Sequence, residues 1–143
     1  MAEHQYFVIT GTSPAAASTA QVGNECPGLD RFHHFDFVLK ETGGTGGTID
    51  IYIQRFDVNL NEWVDYAHFP QVAAATTARY VATSQPLTGA NPILIVGQGT
   101  TPAMTVNSII GGHPGERIRM IATAGAGTSA GATQVLSIRA WRA

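Results

Sequence analysis

Thr48–Phe69, TIDIYIQRFDVNLNEWVDYAHF, decides the fold class. Ile49, Ile51 and Ile53 alternate with Thr48, Asp50, Tyr52 and Gln54. A period of two puts the isoleucines on one face of a half-buried β-strand. Beyond Asp57-Val58-Asn59-Leu60-Asn61, a second run sets Val64, Tyr66 and His68 against Trp63, Asp65, Ala67 and Phe69. Asp and Asn hydrogen-bond their own backbone and tolerate turn geometry, so the two runs read as an antiparallel pair.

Working outward, the same alternation predicts about eight strands. They fall at Gln5–Thr10, Arg31–Glu41, Thr48–Phe56, Glu62–Phe69, Arg79–Thr83, Pro92–Val96, Met104–Ile109 and Glu116–Ala124, with a last one at Thr133–Trp141. In Arg31–Glu41, Phe35, Phe37 and Leu39 point inward, while His34, Asp36, Val38 and Lys40 point outward. Glycine-rich connectors at Gly43–Gly47, Gly111–Gly115 and Gly125–Ala132 supply turn chemistry, and Gly43-Gly44-Thr45-Gly46-Gly47 reads as a hairpin tip. Helix is confined to two marginal candidates, Pro14–Gln21 and Gln71–Ala78. The expectation is an all-β antiparallel sandwich, jelly-roll-like, with little helix. Residues 1–30 would form an N-terminal strand and an extended arm or loop, and residues 31–143 the sandwich domain. The stretch Gly11–Pro27, small and without alternation, is the arm.

Bulk composition narrows the partners. A chain of 143 residues suits one domain, burying roughly two-thirds of its unfolded surface. Charged residues make up 13%, against about 25% in an average soluble domain. Of the eight basic residues only Lys40 is a lysine. Lysine and glutamate are depleted where proteins meet proteins, so a thinly charged surface hints at coverage in use. A net charge of −2 argues against nucleic acid, which needs a basic patch. Cys26 is the only cysteine, so neither an intrachain disulfide nor a cysteine metal cluster forms. No segment approaches the ~20 apolar residues of a membrane helix, and no signal-peptide pattern opens the chain. A soluble protein of a reducing cytoplasm is expected.

Enzyme motifs are absent: there is no G-x-S-x-G, no H-E-x-x-H and no P-loop. His33-His34-Phe35-Asp36 resembles a ligand cluster, but on a strand only His34 and Asp36 share a face. Two ligands make half of a usual four-ligand zinc site, and His68 would join them only through tertiary structure. Asp50 and Asp65, on neighbouring strands, are the one candidate acid/base pair; solvated strand carboxylates explain them as well. Asp57 belongs to the turn. Tyr52, Trp63, Tyr66 and Trp141 are either a sugar-stacking platform or cross-strand packing, and packing is favoured. Arg139, alternating with Trp141, suits a guanidinium–indole or a subunit contact. No catalytic, cofactor-binding or metal residue is assigned, and no cofactor.

The run TIDIYIQRFDVNLNEWVDYAHFPQV, followed late in the chain by Gly115-Glu116-Arg117-Ile118-Arg119 and a terminal strand Gln134–Ala140, resembles capsid decoration (cement) proteins of tailed phages. The resemblance spans Phe35 to Ala140. It implies a jelly-roll-like sandwich, no catalytic residues, homotrimerisation and binding to the major capsid protein on the exterior of the virion, after assembly in the host cytoplasm. The N-terminal segment and the glycine-rich loops are the expected capsid contacts. A carbohydrate-binding sandwich of a virion surface, tail or fibre protein is the alternative, and a hydrolase using Asp50 and Asp65 a third reading.

Overall fold

Ten β-strands make up the regular structure in the computed structural model, which describes residues 3–12, 20–44, 46–73, 76–84, 97, 99–124 and 132–142. They are β1 (His4–Thr12), β2 (Gln21–Cys26), β3 (His34–Thr42), β4 (Thr48–Asp57), β5 (Glu62–His68), β6 (Val72–Ala73), β7 (Thr77–Thr83), β8 (Ser108–Ile109), β9 (Ile118–Ala124) and β10 (Thr133–Trp141). Two antiparallel sheets pack as a β-sandwich. One has the order β1-β10-β3-β7; the other has the order β2-β9-β4-β5-β8, with β6 added beside β4.

The two inner faces interdigitate as the alternation requires. Ile9, Phe35, Phe37, Leu39, Leu136 and Ile138 from the first sheet meet Ile49, Ile51, Ile53, Ile118 and Met120 from the second, all essentially without solvent contact. Each such aliphatic or aromatic side chain contributes roughly 1.5–3 kcal/mol by leaving water. Phe35 stacks on Phe37, and Phe37 meets Tyr66 edge-on. The turn after β4 forms as its residues suggest: Asp57 Oδ1 accepts from the amides of Asn59 and Leu60, and Asn61 takes the left-handed conformation at φ 55°.

Several expectations are corrected. Part of the expected arm is sheet: Gln21–Cys26 pairs with β9. Its alternation is hidden by a register shift between Val22 and Glu25. Gly23 lies where an added Cβ would come within 3.0 Å of the Met120 carbonyl oxygen, so close approach selects glycine there. Residues 13–19 and the expected strand Pro92–Val96 lie outside the described residues. Among the described residues there is no helix: Gln71–Ala78 contributes β6 and the start of β7, and residues 14–19 of the other candidate are not described. The strand expected at Met104–Ile109 shrinks to Ser108–Ile109. Gly43–Gly47 is not a hairpin tip, because β3 and β4 belong to different sheets and the glycines carry the chain between them.

The second strand of the opening motif also departs from simple alternation. Ile53 pairs with Ala67 but Gln54 with Asp65, so Tyr66 is the extra residue of a β-bulge. The bulge turns Tyr66 into the core while Asp65, Ala67 and His68 are buried too.

Candidate functional site

The outer face of the six-stranded sheet carries most of the polar groups that the sequence offers for chemistry. It is not a solvated face. Gly97 and residues 99–104 lie over it, and Tyr52, Met104 and Ile121 form a second small apolar cluster there, flanked by Ile110. Gln54, Asp65, His68 and Arg119 are buried with them.

Asp65 is the anchor of this cover. One carboxylate oxygen accepts from the backbone amides of Gly97, Ala103 and Met104 at 2.8, 2.8 and 3.0 Å; the other accepts from the Gln54 amide at 2.9 Å. Four donors on one buried carboxylate compensate its loss of water. The Gly99 carbonyl then accepts from both Gln54 Nε2 and Arg119 Nη2 at 3.0 Å, while Arg119 Nε donates to Gln54 Oε1 at 2.9 Å. Gly97 is required by crowding, since a Cβ there would lie 2.3 Å from the Thr101 carbonyl oxygen. Burial lowers the affinity of the Arg119 guanidinium for its proton, an effect opposed by the charge of Glu25.

A second latch uses His68. Its Nδ1 lies 2.7 Å from the Met104 carbonyl oxygen and its Nε2 lies 3.0 Å from Asp50 Oδ1. Both ring nitrogens therefore face oxygen atoms. Gln71 Nε2 donates to the other Asp50 oxygen at 2.8 Å. Burial pushes the Asp50 carboxyl up, but the hydrogen bonds from His68 and Gln71 and the His68 charge outweigh it, and the net shift is downward. Tyr52 stacks on the imidazole with ring centres 3.9 Å apart.

These contacts decide what the candidates can do. Asp50 and Asp65 do not share a cleft as an acid/base pair; each is taken up by its own donors. His68 has no free nitrogen with which to act as a base. His34 stands on the other sheet, its ring tilted against Trp141 with ring centres 5.5 Å apart. Among the described residues no three His, Cys, Asp or Glu side chains are grouped to hold a metal ion. Cys26 is buried, and burial pushes its thiol up to about 11, away from thiolate chemistry.

The aromatic candidates disperse. Tyr52 and Tyr66 are buried, and the Tyr66 hydroxyl donates to the Gly112 carbonyl at 2.7 Å. Trp63 is half-buried beneath the Arg119 guanidinium, 4.5 Å from its ring centre, with Phe56 edge-on at 5.3 Å. Arg139 does lie over Trp141, at 5.0 Å. A cleft of about 360 Å³ opens between β7 and the β5–β8 edge, lined chiefly by Phe69, Pro70, Tyr80, Ala82 and Ile109.

Sequence reasoning missed the anchoring role of Asp65 because its backbone donors lie 32 to 39 residues along the chain. It missed a second staple for the same reason. His113 Nε2 donates to the Phe32 carbonyl at 2.8 Å while its Nδ1 accepts from the Gly115 amide at 2.9 Å. Ser84 exchanges hydrogen bonds with Phe35 and accepts the Gly112 amide through its carbonyl.

The other sheet presents the opposite surface. Tyr6, Val8, Val38, Val81 and Val135 project outward from β1, β3, β7 and β10 and are exposed. Fold and site together define an all-β sandwich whose polar clusters serve its own loops and whose four-stranded sheet leaves a broad, weakly charged face open. No protein-family model matches the chain, and none of the curated proteins compared with it matches.

Proposed function

We propose that this protein is a non-enzymatic structural component of a virion. It decorates a phage capsid from outside, binds major capsid protein subunits as a homotrimer and stabilises the shell. The observation that carries this reading is the pairing of polar clusters that anchor the chain's own loops with an open, valine-bearing sheet face. Polar groups suited to catalysis are consumed in holding the loop over β4, β5 and β9, whereas the valine-rich face of the first sheet has no partner within the described chain. Such a face suits burial against another protein. Many copies on one shell act together, so each contact need only be modest. The resemblance of Phe35–Ala140 to decoration proteins points the same way. The alternative, a carbohydrate-binding module, needs a free aromatic platform; of Tyr52, Trp63 and Tyr66 only Trp63 is accessible, at the rim of a cleft with Asn61, Glu62, Gly99 and Thr101.

Co-sedimentation with undecorated capsids tests the proposal. Salt-tolerant pelleting with the shells is expected; absence of binding at every ionic strength overturns it. Binding to a glycan panel without capsid binding transfers the reading to the alternative.

A further inference from the structure

We propose that the exposed face of the four-stranded sheet is a two-fold interface between two copies of this chain. The register places Val8, Ser137, Val38 and Val81 opposite one another, strand to strand, in one row across β1, β10, β3 and β7. The three valines are 65%, 40% and 73% exposed, Val8 and Val81 on the edge strands and Val38 between them. Four strands of seven to nine residues give a footprint of roughly 20 by 30 Å, of the same order as the ~800 Å² per partner in a standard interface.

Charge selects a second copy as the occupant. The row on one side of the valines holds Tyr6, Arg139, Asp36 and Thr83; the row on the other side holds Thr10, Val135, Lys40 and Arg79. An isologous contact brings the same patch together on both subunits. With the two-fold axis lying along the valine row, each valine meets its own counterpart. The flanking rows then exchange, so Asp36 faces Lys40 of the second copy, and Lys40 faces Asp36 of the second copy. Arg139 meets Val135 and Arg79 meets Thr83, so no like charges face each other. Within one chain Asp36 and Lys40 are four residues apart on β3, roughly 13 Å along the strand, too far to pair. Among the described residues neither takes part in an ion pair. Face-to-face sheets pack in this aligned manner, with an offset of about 30° set by their twist.

The contact does not rest on capsid binding. Alone it gives a particle of two chains; combined with a homotrimer closed through other surfaces it gives six. Sedimentation equilibrium of the full chain up to about millimolar concentration is the test. Wild type is expected at two or six chains. D36K and K40D each set like charges against each other twice per interface, and each is expected to weaken the two-fold step at least tenfold. The double variant D36K/K40D restores complementarity and is expected to return it to within about threefold of wild type. V81E, with circular dichroism showing an intact sandwich, is expected to remove the step. Wild type found only as one or three chains overturns the proposal, as does a double variant no tighter than the singles. Both readings draw on this one face, and the two assays separate them: wild type that pellets with capsids but stays at one or three chains overturns the two-fold contact alone, and wild type that pairs but does not pellet overturns the capsid reading alone.

Discussion

The two outer faces of this sandwich are built from similar strands and end in opposite states. Both carry apolar side chains beside polar ones: Tyr52 and Ile121 on the six-stranded sheet, Tyr6, Val38 and Val81 on the four-stranded one. On the first, a buried carboxylate and an imidazole collect loop backbone groups and hold Gly97 and residues 99–104 down as a cover. On the second, the charged residues Asp36, Lys40 and Arg79 collect none, and the described chain leaves the face open. A few polar side chains with correctly placed backbone partners thus determine whether a sheet face becomes interior or surface.

The sharpest way to break this contrast is to remove the anchor. Asp65→Ala leaves four donors, two of them in buried hydrogen bonds, without their acceptor and is expected to cost about 3–5 kcal/mol in urea unfolding. Amide exchange at Gly97, Ala103 and Met104 should accelerate with it. A loss below about 1 kcal/mol would mean that the cover is held by its apolar contacts instead.

Between the two faces lies an interior polar pair with no anchor of this kind. Glu41 and Gln134 oppose each other across β3 and β10, fully buried, and neither side chain has a hydrogen-bond partner. Burial, helped by the negative charge of Asp50, pushes the Glu41 carboxyl from its ordinary 4.5 up to about 8. The folded form therefore keeps a proton that the unfolded chain releases. That contribution to stability is complete below pH 4.5 and is lost as pH rises from 4.5 to 8. Glu41→Gln should flatten this limb, raising stability at pH 8 by roughly 3 kcal/mol relative to wild type, within the ceiling of about 1.4 kcal/mol per pH unit. Equal slopes in the two proteins would show that Glu41 ionises freely in the fold.

A smaller effect is expected at the second latch. The depressed Asp50 carboxyl contributes stability above its unfolded value of about 3.9, and that contribution disappears as pH falls through the lower folded value. His68→Gln should lower stability at neutral pH by about 1–2 kcal/mol and shorten this acid limb. Thermal unfolding from pH 2 to 7 measures both. The bare face should respond least. Val81→Thr is expected to change the stability of the isolated fold by no more than about 0.5 kcal/mol, against about 2–5 kcal/mol for Ile51→Ala in the core. A large loss at Val81 would show that the face is already covered within one chain.

Much of the frame was legible in the residues. The triplet of isoleucines in β4 and the Phe35, Phe37, Leu39 series in β3 identified inner faces, because the side-chain period of a strand is a local property. Asp57 and Asn61 identified the turn for a similar reason: their partners lie within a few residues. Where alternation failed, a local device had overridden it, a register shift around Gly23-Asn24 in β2 and a bulge at Tyr66 in β5.

By itself the sequence determined an antiparallel sandwich, its core residues and a surface poor in lysine. Only the tertiary structure decided that Asp65 and His68 are latches, that Glu41 is buried without a partner, and that four strands align Val8, Val38 and Val81 in one row. The reason is range. Alternation and turn chemistry act between neighbours in the chain, whereas a carboxylate's role depends on which backbone amides arrive beside it from 30 to 40 residues away, and a surface patch depends on the register of strands from opposite ends of the chain.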